Sequence, residues 1–398
     1  MENEKFQTIF SKDIDGDSLL QLKNGKLLFY DFKGEDDIYI YNEKSFQELF
    51  KININKDLNE SKEEDLNEPI ENKIEKDKIE EEESSDESKD KTKEKEYNYY
   101  SDCFNKNCIK ELSNGLILIG KDHYLLTLKL KDKSYDLKLV KKFKNIIFDV
   151  NELSDKRIMV ITKKNIFIYN MLENEFISKD KNKYLIQDNW KIIPLSLKKG
   201  FHGDFHQYYS SYLLPNNRFL LNSFSIEKGR YGWCGTPPAS EHYQSKFIFI
   251  SLNDFTEIKS TEEFEESTRC ILLKDNIIIQ IYDNFIIYDI NSLEIIKNIE
   301  FEKFSGYMYK YDEQHLILFY INRDFYREKG KIKLNILKIQ DNDLVKNCEK
   351  EKILKFNQRC NRGYPIDDYN DKFLFTLKDK RIIVIFCHGM YLLRVFLD

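Results

Sequence analysis

Residues 270–301, CILLKDNIIIQIYDNFIIYDINSLEIIKNIEF, place four short apolar runs side by side: 270–273, 277–282, 285–289 and 293–299. The separators Lys274-Asp275-Asn276, Asp283-Asn284 and Asn291-Ser292 are turn chemistry. No run reaches helix length, and the β-branched and aromatic enrichment favours strands. The stretch therefore predicts a four-stranded antiparallel meander, and the rest of the chain varies that unit.

One local pattern marks each unit: Leu, any residue, Asn or Asp, a turn residue, then an apolar run. It occurs as Leu22-Lys23-Asn24-Gly25, Leu112-Ser113-Asn114-Gly115, Leu153-Ser154-Asp155-Lys156, Leu214-Pro215-Asn216-Asn217, Leu273-Lys274-Asp275-Asn276 and Leu377-Lys378-Asp379-Lys380. Tyr311-Asp312-Glu313-Gln314 is a weaker seventh copy. The expected reason is hairpin chemistry, with Asn and Asp accepting the positive φ that the twist between paired strands demands. The shortest gaps between marks, 41 and 38 residues, define a unit of about 40. A second mark is the third strand, Ile38-Tyr39-Ile40-Tyr41-Asn42, Ile166-Phe167-Ile168-Tyr169-Asn170 and Phe285-Ile286-Ile287-Tyr288-Asp289.

These third strands resemble those of the WD40 repeat family, which end in Trp-Asp, with Tyr in place of Trp. The family's Gly-His dipeptide is absent from every unit. The resemblance covers nearly the whole chain outside one acidic segment, and it implies an all-β fold, a seven-bladed β-propeller. The ends agree: the last unit lacks a fourth strand, and the apolar run at 5–10 lacks a partner. Pairing that run with 391–396 would close the ring and remove two exposed sheet edges. The faint sixth mark leaves six or eight blades open.

The chain divides into 1–53 (closing strand and first blade), an acidic insertion at 54–98 and the remaining blades at 99–398, one propeller overall. Residues 56–96 hold 18 Asp/Glu against 9 Lys, a net charge of −9, whereas the remainder is close to neutral at +3. The insertion has a disordered composition. Ser84, with acidic residues on both sides, is a candidate phosphorylation site. A nearly neutral body excludes the basic surface that nucleic-acid binding needs. No apolar run has the roughly 18–20 residues that span a bilayer, and the charged N-terminus lacks a secretory h-region. Seven scattered cysteines point to a reducing compartment, the cytoplasm or nucleus.

Five long insertions, 54–98, 180–206, 226–245, 323–330 and 351–371, are expected at second-to-third or blade-to-blade connections, which share one propeller face. Long loops on one side of a rigid scaffold are where binding is built. Among them, Arg230, Tyr231 and Trp233 sit between Gly and Pro, and Trp190 is the other tryptophan. Such aromatic and guanidinium groups suit interface anchors; the bland alternative has the 226–245 loop folding back to cap the ring. His202, Asp204 and His206 alternate, so a strand would present them to one ion; ordinary loop histidines are the competing reading. No nucleophile elbow, P-loop or His-Glu-x-x-His appears. The sequence thus favours a non-enzymatic, monomeric scaffold for partner proteins or peptides, without a cofactor. The alternative is a propeller enzyme or small-ligand binder with an axial site on the same face.

Overall fold

The computed structural model describes residues 7–10, 18–31, 37–56, 108–132, 134–169, 190–194, 205–227, 242–265, 268–281, 284–300, 307–324, 329–340, 343–355, 374–386 and 389–394. Among them the strands form seven four-stranded antiparallel sheets. Sheet 1 holds Ser18–Gln21, Lys26–Asp31, Asp37–Asn42 and Glu48–Asn53. Sheet 2 holds Ile109–Glu111, Ile117–Lys121, Tyr124–Leu130 and Tyr135–Lys142. Sheet 3 holds Ile147–Glu152, Ile158–Thr162, Asn165–Tyr169 and Trp190–Pro194. Sheet 4 holds Phe205–Leu214, Arg218–Glu227, His242–Ser251 and Glu257–Ser260. Sheet 5 holds Thr268–Leu272, Asn276–Ile281, Asn284–Asp289 and Ile295–Glu300. Sheet 6 holds Tyr307–Lys310, His315–Asp324, Lys329–Gln340 and Asp343–Lys355. Sheet 7 holds Leu374–Thr376, Arg381–Phe386 and Gly389–Arg394, and takes its fourth strand, Gln7–Phe10, from the other end of the chain. There Gln7 lies opposite Leu392 and Thr8 opposite Tyr391.

Contacts between neighbouring sheets run chiefly through their first strands, so the sheets converge at one side and splay at the other. This is the arrangement of a β-propeller. Side chains alternate along a strand, so a central strand of each blade feeds two interfaces. Leu28 and Tyr30 pack on Ile117 and Ile119 of blade 2, while Leu27 and Phe29 pack on Leu377 and Ile383 of blade 7. The same interdigitation joins blade 2 to 3, 3 to 4, 4 to 5 and 5 to 6. Blades 6 and 7 meet through Thr376 Oγ1, which donates to the Lys310 carbonyl at 3.1 Å, and Lys380 Nζ, 2.7 Å from Asp312. Each fully buried Leu, Ile or Phe adds about 1.5–3 kcal/mol; strands buried on both faces are why the sequence reads as continuous apolar runs.

The first hairpin of blades 1, 2, 3 and 7 works differently from the expectation. Positive φ falls one residue past the Asn or Asp, at Gly25 (77°), Gly115 (81°), Lys156 (69°) and Lys380 (68°). The Asn or Asp itself caps the turn: Asn24, Asn114, Asp155 and Asp379 each accept, through Oδ1, the N–H two residues on. This is an Asx bond inside a three-residue loop whose last residue is left-handed. Blade 4 departs, with positive φ at both Asn216 and Asn217.

Two further expectations need correction. Trp190 does not lie in a loop; it opens the fourth strand of blade 3, opposite Tyr169. The strand Trp190–Pro194 thus divides the 180–206 stretch, which is not a single blade-to-blade connection. The stretches at 323–330 and 351–371 are also partly strand, because the blade 6 strands run on to Asp324, from Lys329 and to Lys355.

Candidate functional site: a cleft above blade 5

The blades differ in height. The second strands of blades 4 and 6 have 10 residues each, whereas that of blade 5 has 6. The third strands have 10 and 12 residues in blades 4 and 6, and again 6 in blade 5. All start or end at the tight-turn face, so the surplus projects from the opposite face. Four residues at the strand rise make walls standing about 13 Å above blade 5. Both flanking blades pack directly on blade 5. Sheets pack about 10 Å apart, so two spacings separate the walls, and among the described residues no strand stands between them.

The blade 4 wall is built from its first three strands, in rows such as Phe205–Glu227–His242 and His206–Ile226–Tyr243. The blade 6 wall is built from its last three, in rows such as Asp324–Lys329–Lys355 and Ile321–Ile332–Lys352. The first strand of blade 6 reaches only Phe319, so among the described residues 320–324 pair on one side alone.

Below the walls lie three buried polar atoms with no hydrogen-bond partner among the described residues: Asn222 Oδ1, Asn335 Oδ1 and Thr268 Oγ1. Asn222 is 8% exposed and Asn335 1%. Asn222 shares a strand face with Leu220, which packs on blade 5, and Asn335 shares one with Leu337, which also packs on blade 5. Both amides thus face the short blade from either side. A neighbouring position shows what is missing. Gln280 holds in blade 5 the row that Asn222 holds in blade 4, opposite Arg269 and Ser210 respectively. Gln280 Oε1 reaches the next blade and accepts the Met308 N–H at 3.1 Å; Asn222 is one methylene shorter. An unsatisfied buried carbonyl costs about 1–3 kcal/mol. Beside it, the Arg269 guanidinium lies 5.9 Å over the Tyr309 ring.

A second buried polar cluster has a structural explanation. Asp149, fully buried, accepts the Ser211 N–H at 2.6 Å and Ser211 Oγ at 2.7 Å, tying the first strand of blade 3 to that of blade 4. Asn151 Nδ2 donates to Ser211 Oγ at 2.8 Å. Burial pushes the Asp149 carboxyl up to about 6, against the pull of Lys110 and the Ser211 hydrogen bonds.

The sequence-derived residues fall as follows. His206 lies in the first strand of blade 4, one row from His242 in the third. Trp190 is in blade 3. Arg230, Tyr231 and Trp233 lie outside the described residues, between the strands that end at Glu227 and begin at His242. His202, Asp204 and Ser84 also lie outside them. No group of three or more His, Cys, Asp or Glu is placed to hold a metal among the described residues. None of their helices is long and apolar enough to cross a membrane. Sequence reading missed Asn222 and Asn335, although a lone Asn inside FLLNSF and KLNILK was a visible signal.

No protein-family model matches the sequence, and no curated protein matches it. Solved structures similar in fold include a streptogramin B lyase, at 10% identity and a TM-score of 0.47, covering 98% of this chain and 96% of that one. BamB from Moraxella catarrhalis aligns at 10% identity and a TM-score of 0.43, covering 98% and 100%. Kluyveromyces lactis Hsv2 aligns at 8% and 0.34, covering 84% and 98%. Scores this low carry no functional argument.

Proposed function

We propose that the chain is a WD40-like, seven-bladed propeller, closed by its N-terminal strand, that acts as a non-enzymatic scaffold for partner proteins or peptides. Closure is supported by the Gln7–Phe10 pairing and by the contacts of Leu377 and Ile383 with blade 1. The observation that carries the binding reading is the pair of tall walls flanking a short blade, with unpartnered Asn222 and Asn335 facing it. Rigid strands hold the walls, and the connections they end in, including the one with Arg230, Tyr231 and Trp233, add contacts. Trp190, opposite Tyr169 where the fourth strand of blade 3 begins, stands at the tight-turn end and is not one of these anchors. The buried cysteines Cys108 and Cys270, neither in a disulfide among the described residues, suit a reducing compartment, and we propose the cytoplasm or nucleus.

Hairpin trimming tests this. Shortening the second and third strands of blade 6 to the blade 5 length is expected to abolish co-purification of partners that the intact chain retains. A folded trimmed protein that keeps its full partner set would contradict the reading.

A further inference from the structure

We propose that the chain forms a twofold dimer through the outer edge of blade 3, the strand Trp190–Pro194 pairing antiparallel with the same strand of a second copy. The inference goes beyond the binding reading above, does not depend on the cleft, and departs from the monomer expected from the sequence. The outer strand of a blade presents main-chain N–H and C=O groups on its far side, a template for another chain unless the edge is blunted. Six of the seven outer strands are blunted by an extra residue in their pairing with the strand inside them. These residues are Leu49, Val140, Ile258, Ile296, Asn347 and Ile9, in blades 1, 2, 4, 5, 6 and 7. Blade 3 alone pairs in unbroken register, from Asn165 opposite Pro194 to Tyr169 opposite Trp190.

The difference has a local cause. In blades 1, 4 and 5 one turn joins the third strand to the fourth, closed by Asn42 N–H to the Gln47 carbonyl, Ser251 N–H to Thr256 and Asp289 N–H to Glu294. Phe46, Phe255 and Leu293 take positive φ in it, and the extra residues Leu49, Ile258 and Ile296 each follow three positions later. In blade 3 residues 170–189 separate Tyr169 from Trp190, too long a stretch for that turn, so nothing forces the bulge into its outer strand.

Several features select a second copy as the occupant. Among the described residues nothing pairs with the far side of Trp190–Pro194. A strand edge is matched by another extended chain, whose donors and acceptors repeat at the same spacing, and not by a helix. The strand that this fold itself supplies without an extra residue is Trp190–Pro194. Identical strands paired antiparallel about a twofold are self-complementary, and with one such edge per chain the assembly closes at two. Centred on Ile192, the pair sets Lys191 opposite Ile193 and Trp190 opposite Pro194 of the other copy, so no like charges meet. Pro194, which lacks an N–H, falls at the strand's end, where it removes one donor at most.

The experiment uses the full chain in sedimentation velocity over a wide range of concentration. A reversible equilibrium is expected between the 47.9 kDa chain and a species of twice that mass. Ile192→Lys sets two lysines opposite each other at the centre of the pair and is expected to weaken association about tenfold. Mixing Ile192→Lys with Ile192→Glu is expected to restore it, a recovery that misfolded chains would not show. Under mild oxidation Ile192→Cys is expected to give a disulfide-linked dimer above the background of the seven native cysteines, since directly opposed Cα atoms lie within disulfide range. Lys191→Cys, two residues out of register with its own copy, is expected not to cross-link. An intact chain that stays monomeric throughout would overturn the inference. So would a dimer that Ile192→Lys leaves unchanged and that the Ile192→Cys variant does not cross-link, which would place the contact elsewhere. Dimerisation seen only after removal of 170–189 would make that segment the cover of the edge, and would likewise overturn it.

Discussion

The main-chain N–H of Lys378 donates to Gln21 Oε1 at 2.7 Å across a sequence separation of 357 residues. The same bond recurs between consecutive blades: Lys23 N–H to Glu111 Oε2 at 2.7 Å and Ser113 N–H to Glu152 Oε2 at 2.6 Å. In each, the residue after the turn's leucine in one blade reaches the residue before the corresponding leucine in the next blade. The seam between the chain's two ends is thus built like an ordinary interface. The pattern stops at blade 3, where blade 4 offers Leu213 in the acceptor's place; in blade 4 Pro215 has no N–H, and the next blade has Leu272 where an acceptor would stand. Arg218 takes over, donating to the carbonyls of Asn291 and Ile290 at 2.8 and 2.9 Å.

If these bonds are equivalent, Gln21→Ala and Glu111→Ala should cost similar stability, about 0.5–1.5 kcal/mol each. Urea denaturation measures both. A loss for Glu111→Ala with none for Gln21→Ala would show the end seam to be unlike the others.

Gly120 marks a close approach of blade 2 to blade 3. A Cβ there would lie 2.8 Å from Ile147 Cγ2, and 3.4 Å from Val150 Cγ1. Gly120→Ala is expected to destabilise by about 1–3 kcal/mol through overpacking. Paired with Ile147→Ala, the two losses should sum to less than their separate values; strict additivity would contradict the contact.

Asp149 gives a pH signature. Its carboxyl is raised to about 6 in the fold from a usual 3.8, so the folded chain holds the proton longer than the unfolded one. Stability from this group is full below pH ~4 and is lost as pH rises through about 6, by roughly 3 kcal/mol for two units. Asp149→Asn should flatten that part of the stability profile. A profile unchanged by the substitution would refute the assignment.

Asn335→Leu should raise thermal stability by about 1 kcal/mol, since a buried carbonyl without a partner is removed. A destabilised Asn335→Leu would mean that the amide is satisfied in solution.

How far the sequence disclosed this molecule follows from its physics. The period-two apolar runs and the turn marks at Leu22, Leu112, Leu153, Leu273 and Leu377 report local chemistry, and the β-propeller follows from them. The third-strand ends Asn42 and Asp289 were visible too, and their Oδ1 atoms cap the next turn by accepting two N–H groups each. Illegible were features set by neighbours. Positive φ at the buried Phe46 (54°) and Leu293 (62°) depends on the core that receives those side chains. The five-residue run WKIIP was too short, and too far from Tyr169, to betray a fourth strand. The walls at 320–324, 329–333 and 351–355 are charged, so they read as loops, yet their pairing partners make them sheet. The cleft itself is a difference in length between blades, which no single stretch records.

The most direct test of the central claim is a disulfide across the end seam. Thr8 and Tyr391 are opposed in the antiparallel pair, where Cα atoms stand about 4.5–5.5 Å apart, within disulfide range. Thr8→Cys with Tyr391→Cys should cross-link rapidly under mild oxidation, with the bond located by peptide mapping and the fold unchanged. Failure of that pair to cross-link in the folded protein would contradict a propeller sealed by its first strand.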